Sequence, residues 1–279
     1  MWLSNTERQL KFLRLVVPIA LVVCSPDFAG ESLAAPSDLN DTKRIERGLK
    51  FISERRVDQA VAEFDGCKNL SCLSDQQVLA VLAAYSEAEE ESKILPLANM
   101  LIERQAKAKL LPSIQDRADA LFYRAVCYRS LNKSEEAAND YKRGAEYSTD
   151  KAPNMFDYAG EQYRRVRKYD LALYCLNKAV NLSPGNPSAR LHKGLVLDDL
   201  QKWNEALPCL SDAISICLQK RKSEPEGYSF VLCSAYKERA KCYSKLGQIN
   251  KARADRNELG KLSSGWNDTV FGGRSGSAP

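Results

Sequence analysis

Apolar and small residues return along this chain with a period of about 34 residues. The clearest copy begins at Pro153 and has a bulky, a small and an aromatic position, then a small, a bulky and a small one, and a closing proline: Phe156, Gly160, Tyr163, Ala172, Leu176, Ala179 and Pro184. Within each group the spacing is three or four residues, which places the group on one face of a helix. The pattern predicts two antiparallel helices joined by a short turn.

Further copies follow at the same period in both directions. Five copies in all are recognisable, including the one at Pro153. A degenerate sixth fits between the first and the third; it lacks the aromatic and has Pro96 near the start of its second helix. The predicted units begin near residues 41, 76, 118, 153, 187 and 233. A single hairpin cannot bury its own apolar face, so neighbouring units must cover it. Pro208 lies early in the second helix of the fifth unit, where a missing amide is tolerated best in the first turn.

This pattern resembles the tetratricopeptide repeat over residues 41–262. The resemblance implies an all-α fold, a right-handed superhelical solenoid of about six helix hairpins whose concave groove binds other proteins. We predict one repeat domain over residues 36–262, with an exposed insertion between Leu218 and Leu232. Residues 263–279 are rich in Gly and Ser and predict a disordered tail.

Residues 1–35 have the order of a secretory signal peptide. Basic residues precede an apolar run from Leu15 to Cys24, and small residues end at Ala35. The run is shorter than the roughly 20 residues of a spanning helix. We expect an exported protein, periplasmic or extracellular, that begins at Ala35 or Pro36. The alternatives are an uncleaved membrane anchor, a fortuitous apolar N-terminus, and lipidation at Cys24, which Val23 disfavours because a small residue is required there.

Charge and chemistry narrow the classes of function. The chain has 41 Lys and Arg against 36 Asp and Glu without one basic block, which argues against nucleic acid as a partner. Its single histidine, His192, excludes a two-histidine metal site and is predicted to be exposed. We find no P-loop or GxGxxG motif, and interpret Asp198, Asp199 and the Glu89–Glu91 run as solvated helix faces. We therefore predict no enzyme activity, no cofactor and no metal.

The cysteines allow two interpretations. Packing at helix contacts is the simpler one, because cysteine is among the most buried residue types. The other is a disulfide between Cys217 and Cys233, whose positions flank the insertion and fit the same antiparallel pairing as Cys209 and Cys242. Zinc has weak support, because no second close pair of cysteines follows Cys67 and Cys72.

The resemblance also implies which residues line the groove, namely set positions of each first helix. A subclass of the family grips C-terminal carboxylates with Lys and Asn at two such positions, but the first unit has Ile45 and Leu49 there. The predicted partner-binding residues are Ile45, Leu49, Phe122, Val126, Arg129, Glu161, Arg164, Arg165, Leu195, Lys237, Lys241 and Lys245. Their character predicts a partner segment with apolar anchors toward the N-terminal units and acidic residues toward the last one. For the lysines alone, a solvated face is the simpler interpretation.

These observations favour a non-enzymatic scaffold or adaptor that binds a protein or peptide partner in the groove. The alternative is an envelope assembly factor or chaperone-like protein that holds clients transiently. An enzyme or regulatory subunit is a third hypothesis. We expect contact with a membrane only through an uncleaved N-terminal segment, and the sequence predicts no particular oligomeric state.

Overall fold

A computed structural model describes residues 39–108, 113–221 and 228–271, with side chains from residue 40 to residue 262 of these ranges. They form twelve α-helices and no strand. The helices are α1 (Leu39–Ser53), α2 (Val57–Asp65), α3 (Asp75–Glu87), α4 (Glu91–Lys107), α5 (Ile114–Ser130), α6 (Ser134–Tyr147), α7 (Ala152–Arg165), α8 (Tyr169–Leu182), α9 (Pro187–Asp199), α10 (Trp203–Lys220), α11 (Ser229–Lys245) and α12 (Ile249–Phe271). The predicted signal peptide and the cysteine at position 24 lie outside the described residues.

Consecutive helices pair into six hairpins, which form two compact units of three. Unit 1 holds hairpins 1 to 3 (α1 to α6) and unit 2 holds hairpins 4 to 6 (α7 to α12). In each unit the second helix of one hairpin also contacts the first helix of the next, and successive first helices contact each other. The first helices of a unit therefore lie side by side and form one surface, which we call the first-helix face.

Small residues allow the two helices of a hairpin to approach closely. A Cβ atom added at Gly160 would lie 2.4 Å from Leu176 Cγ, and one added at Gly194 would lie 2.7 Å from Leu210 Cδ2. Real Cβ atoms do not approach other heavy atoms so closely, so each glycine makes room for the bulky residue 16 positions later. The predicted small position of the repeat is thus a contact between helices.

Hairpin 2 reverses this arrangement. Its small and bulky positions hold Leu82 and Ala98, which are both fully buried in the core of unit 1. The large residue is on the first helix and the small one on the second, so each hairpin still has one small and one bulky residue at this contact while the order is exchanged. This exchange explains why the second unit is degenerate in sequence and still forms a hairpin.

Every hairpin has the same turn. One residue adopts a left-handed conformation with φ between 58° and 73°, and the amide of the next residue donates to the carbonyl five residues before it over 2.8–2.9 Å. This is the Schellman arrangement that ends many helices. The left-handed residues are Arg55, Glu89, Asn132, Arg167, Gln201 and Gly247.

Local sequence explains two helix starts and the places of two prolines inside helices. Ser74 and Gln77 form a capping box before α3. The Asn186 side chain accepts a hydrogen bond from the Ser188 amide over 2.9 Å before α9. Pro96 and Pro208 are each the sixth residue of their helix, beyond the first turn where a proline fits best, and both are exposed.

An arginine joins the two helices of three hairpins through a carboxylate 16 residues later. Arg124 donates to Asp140 over 2.6 and 2.8 Å in hairpin 3, and Arg239 donates to Asp255 over 2.8 and 2.6 Å in hairpin 6. Hairpin 1 has the equivalent contact between Arg47 and Glu63, which is more exposed. Two parallel hydrogen bonds fix geometry as well as adding energy, so these contacts set how the helices cross.

The last helix extends past the predicted end of the repeats. α12 runs to Phe271, whereas the predicted tail begins at residue 263. The difference has a local reason, since the residues after Leu262 continue a helix already begun at Ile249 and contain no proline before the helix ends. Residues 272–279 lie outside the described residues.

Candidate functional site: the first-helix face

Two polar contacts join α7 to α9 on the first-helix face of unit 2. His192 Nδ1 lies 2.7 Å from Asp157 Oδ1, and Arg164 Nη1 donates to Asp199 Oδ2 over 2.9 Å. Both contacts join residues 35 positions apart. Residues that are one repeat plus one position apart in the sequence therefore meet on successive first helices.

A third contact joins α9 to α11. Lys241 donates to Asp198, whose side chain is only 4% exposed, and also lies 3.8 Å from Glu238. The thiol of Cys242 is 3.8 Å from the other oxygen of Asp198. The hydrogen bond to Asp198 raises the pKa of Lys241, so the lysine stays charged beside the buried carboxylate.

These contacts correct two predictions from sequence. His192 is not a surface histidine, because its side chain is 18% exposed and paired with a carboxylate that is 3% exposed. Asp198 is not a solvated acid either, although its neighbour Asp199 is more exposed. Sequence spacing within one helix could not reveal either pair, because the partner lies on the next first helix.

Burial and charge act on His192 in opposite directions. Burial lowers the pKa of this imidazole, whereas the charge of Asp157 and the hydrogen bond to it raise the pKa, and the result lies above the ordinary histidine value of 6.5. Glu161 adds to the rise and Arg164 opposes it. His192 is therefore a cation of the first-helix face at slightly acidic pH.

The other predicted groove residues of unit 2 are divided between ion pairs, core contacts and free surface. Arg165 donates to Glu161 over 3.0 Å, one turn away on α7. Leu195 packs against the core of unit 2 and is partly exposed. Lys237 and Lys245 are exposed, and among the described residues neither has an ion-pair or hydrogen-bond partner.

In unit 1, two of the predicted groove residues lie on α1. Ile45 is only 5% exposed, so it belongs to the core and not to an open surface, which corrects its predicted role in binding. Leu49 also packs on that core and keeps some exposure. The prediction for Ile45 was wrong because positions that face the groove and positions that face the core are only one residue apart on a helix.

Hairpin 3 carries the remaining predicted residues. Phe122 is partly exposed, but its ring lies 5.9 Å from the Tyr141 ring and 5.6 Å from the Tyr123 ring, so it also supports the packing of α5 on α6. Val126 and Arg129 follow on the same helix and are partly exposed. Of the predicted apolar anchors, Phe122 and Val126 are the two that α5 presents next to each other.

The cysteines at 217 and 233 are both free thiols in this structure. Cys217 is buried on α10 and Cys233 is partly buried on α11, two helices that contact each other. Burial raises the pKa of Cys217 to about 12 and raises that of Cys233 as well, so both thiols stay protonated at neutral pH. The predicted disulfide remains a prediction for the exported protein.

The described part of the chain has no cluster of metal ligands and no membrane-spanning helix. In residues 40–108, 113–221 and 228–262, whose side chains the structure describes, no three His, Cys, Asp or Glu side chains are arranged to hold a metal ion. Over the same ranges, no helix combines the length and the apolar character needed to cross a bilayer.

The fold defines a class of proteins, those built from stacked helix hairpins with a close contact in each hairpin. Residues 119–145 match the tetratricopeptide repeat family model. A tetratricopeptide repeat protein from Parabacteroides merdae superposes with a TM-score of 0.58 at 16% identity, over 81% of this chain and 80% of that one. This chain therefore has the fold of tetratricopeptide-repeat proteins.

Two further solved structures are similar. MamA AMB-1 has a TM-score of 0.51 at 20% identity, over 67% of this chain and 98% of its own. YrrB, described as a TPR protein with an unusual peptide-binding site, has a TM-score of 0.53 at 16% identity, over 78% of this chain and 93% of its own. At such identities the likeness concerns the fold. Proteins of this fold are in general interaction modules without catalysis.

Proposed function

We propose that this chain is a non-enzymatic scaffold or adaptor that binds a segment of a protein partner on its first-helix faces. The observation that carries the proposal is the character of these faces. Side chains that the fold does not need for its core, such as Val126 in unit 1 and Lys237 and Lys245 in unit 2, are left accessible on helices that lie side by side. A face of this kind offers anchors for a peptide and no constellation for catalysis.

The similar fold of YrrB, which has a peptide-binding site by its description, supports a peptide as partner. Fold alone does not define function, so the proposal rests on the faces. A long-lived complex with one partner would define an adaptor. Many short-lived complexes would instead define the alternative, a chaperone-like assembly factor.

Site-specific photocrosslinking in the native cells tests the proposal. A photoreactive residue replaces Val126 or Lys237 on the first-helix faces, and matched controls replace Glu146 on α6 or Lys178 on α8, which are exposed on second helices. We expect one dominant crosslinked protein from the first-helix positions and much weaker crosslinking from the controls. Equal crosslinking from all four positions would contradict binding on these faces, and many products from Val126 and Lys237 would favour the chaperone-like alternative.

We also propose that the protein is exported and acts in the periplasm or outside the cell. The order of basic, apolar and small residues in residues 1–35 supports this. N-terminal sequencing of the native protein tests it, and we expect Ala35 or Pro36 as the first residue. Recovery of Met1 from a cytosolic fraction would contradict export.

A further inference from the structure

Hairpins 3 and 6 are built on the same frame. Each has a paired arginine and aspartate, and equivalent residues lie 115 positions apart: Arg124 and Arg239, Cys127 and Cys242, Tyr128 and Tyr243, Asp140 and Asp255. In both, the guanidinium also lies over the equivalent tyrosine ring, at 5.7 Å and 5.8 Å. The two hairpins can therefore be compared position by position.

The exposed residues of their first helices differ in chemistry. Where α11 carries Lys237, Lys241 and Lys245, α5 carries Phe122, Val126 and Ser130. The same frame forms with either set, so the fold of the hairpin does not require the lysines. A row of three lysines at intervals of four residues, which puts them on one side of α11, needs another explanation.

The three lysines have different roles. Lys241, in the middle, contacts Asp198 and Glu238 and is thereby neutralised within the protein. Lys237 and Lys245 are exposed and have no such partner among the described residues. They are eight residues apart on one helix, which separates their backbone positions by about 12 Å at a rise of about 1.5 Å per residue.

The surroundings decide which kind of anion fits. On the other two first helices of unit 2, α7 and α9, Asp199 is paired with Arg164 and Glu161 with Arg165, so that part of the face is close to neutral. A broad anionic surface such as a membrane would cover this neutral area as well as the lysines. A single chain laid along α11 would meet Lys237 and Lys245, with Lys241 between them already offset by Asp198 and Glu238.

We propose that α11 of unit 2 binds an acidic polypeptide segment, with Lys237 and Lys245 each pairing with one carboxylate of that segment. In an extended segment, a separation of about 12 Å corresponds to two acidic residues about four positions apart, at about 3.3 Å per residue. Lys241 holds α11 to α9 through Asp198 and does not itself select the ligand. This inference rests on the proposed function, because it specifies the chemistry of a partner segment on the first-helix face.

Selection from a displayed library of random nine-residue peptides tests the inference with the purified full chain. The variant is Lys237→Glu with Lys245→Glu, and the matched control reverses two exposed lysines elsewhere in unit 2, Lys178→Glu with Lys202→Glu. Circular dichroism and the melting temperature check that both variants fold. The wild type and the control are expected to enrich peptides with two acidic residues three to five positions apart, and the variant is expected not to.

A second measurement compares one selected peptide with its copy in which glutamine replaces both acidic residues. In fluorescence anisotropy we expect the wild-type protein to bind the glutamine copy about tenfold or more weakly than the selected peptide. We expect a similar loss when the variant with Lys237→Glu and Lys245→Glu binds the selected peptide. The affinity of the wild-type protein for the selected peptide should depend strongly on salt. Acidic enrichment that persists in the variant, or affinities that the two reversals leave unchanged, would overturn the inference. Sedimentation with anionic phosphatidylserine vesicles is the third arm, and vesicle binding that depends on these two lysines without any acidic peptide being selected would assign them to a membrane surface instead.

The outcomes separate this inference from the proposed function. In one outcome, the wild type and the variant select the same peptides without acidic enrichment while the partner still crosslinks at Val126. That result would leave the scaffold function standing and remove the role of α11. The absence of any selected peptide, together with equal photocrosslinking at first-helix and second-helix positions, would remove both.

Discussion

His192 Nδ1 lies 2.7 Å from Asp157 Oδ1 and joins the first helices of hairpins 4 and 5 through the single histidine of the chain. Both side chains are largely shielded from water, with 18% and 3% of their surface exposed. An imidazolium beside a shielded carboxylate is held by charge as well as by a hydrogen bond. Neutral imidazole keeps at most the hydrogen bond.

This pair makes the stability of unit 2 depend on pH. The pKa of His192 is higher in the folded than in the unfolded chain, so its contribution is complete below the unfolded value of 6.5 and is lost as pH rises through the folded value. His192→Gln keeps a neutral donor and removes the titration. We expect it to reduce the free energy of unfolding by about 1.5–3 kcal/mol at pH 5.5 and by clearly less at pH 8.5, in urea denaturation followed by circular dichroism.

The control for this prediction is the proton NMR signal of the imidazole, which is unambiguous because the chain has one histidine. Its titration midpoint should lie above the value measured in urea. A midpoint at or below that of the unfolded chain, or an equal effect of His192→Gln at both pH values, would contradict the prediction.

The sequence predicted the hairpins better than the contacts between them. Gly160 and Leu176 belong to one hairpin, and their spacing is visible in a single repeat. Asp157 and His192 belong to two different hairpins, and nothing in the sequence of either helix alone indicates that they pair. A comparison of opposite charges one repeat plus one residue apart would have found this pair and the pair of Arg164 with Asp199.

The arginine–carboxylate pairs that join the two helices of a hairpin could not be predicted from one helix either. Arg124 with Asp140 and Arg239 with Asp255 have a constant spacing of 16 residues, which recurs at the same place of the repeat. Charged residues on a helix are most often solvated, and a pattern confined to one helix therefore places them at the surface. Only the second helix of the hairpin, folded back on the first, makes the spacing meaningful.

Lys241→Ala and Lys245→Ala should differ in stability although both remove one lysine from the same row. Loss of Lys241 leaves the carboxylate of Asp198, 4% exposed, without its cation, and we expect a cost of about 1–2 kcal/mol. Lys245 is exposed and has no such partner among the described residues, so we expect a change within about 0.5 kcal/mol. Urea denaturation of both variants at low and high salt measures this, and equal costs would show that Asp198 does not depend on Lys241.

Phe122→Ala should affect stability as well as binding. The ring packs on Tyr141 at 5.9 Å, so its loss weakens the contact of α5 with α6, and we expect a cost of about 1–3 kcal/mol for this partly exposed side chain. We also expect weaker crosslinking to the partner. Val126→Ser is the matched variant, because Val126 is partly exposed on the same helix and is not aromatic. Binding that is unchanged in both variants at a temperature where both are folded would exclude this face as the contact surface.

Substitutions at two of the left-handed turn residues should affect stability differently. Gly247 has φ of 73°, and Gly247→Ala should cost about 1 kcal/mol, since a Cβ atom disfavours this conformation. Arg167 has φ of 58° at the equivalent place in hairpin 4, and Arg167→Gly should change stability by less than about 0.5 kcal/mol, because relief of strain offsets the greater freedom of glycine in the unfolded chain. Thermal unfolding of the two variants measures the difference, and a larger loss for Arg167→Gly would contradict the assignment of strain to this turn.

The close contact of Gly160 with Leu176 predicts that two destabilising substitutions compensate each other. Gly160→Ala places a methyl group 2.4 Å from Leu176 Cγ and should cost about 1–3 kcal/mol through overpacking. Leu176→Ala should cost about 2–5 kcal/mol, because Leu176 is fully buried and its removal leaves a cavity. In the double variant the new methyl group enters the space that leucine has left, so we expect a total cost smaller than the sum by about 1 kcal/mol or more.

Hairpin 2 supports this expectation, because Leu82 and Ala98 have the bulky and the small residue in exchanged order and are both fully buried. The measurement is a double-mutant cycle in urea, with Gly185→Ala as the control, since a Cβ atom there would meet no neighbour within 4 Å. Additive costs for Gly160→Ala and Leu176→Ala would mean that the helices of hairpin 4 separate when the methyl group is added. In that case the small position would be replaceable, and close packing of the two helices would not explain why a small residue recurs there along the chain.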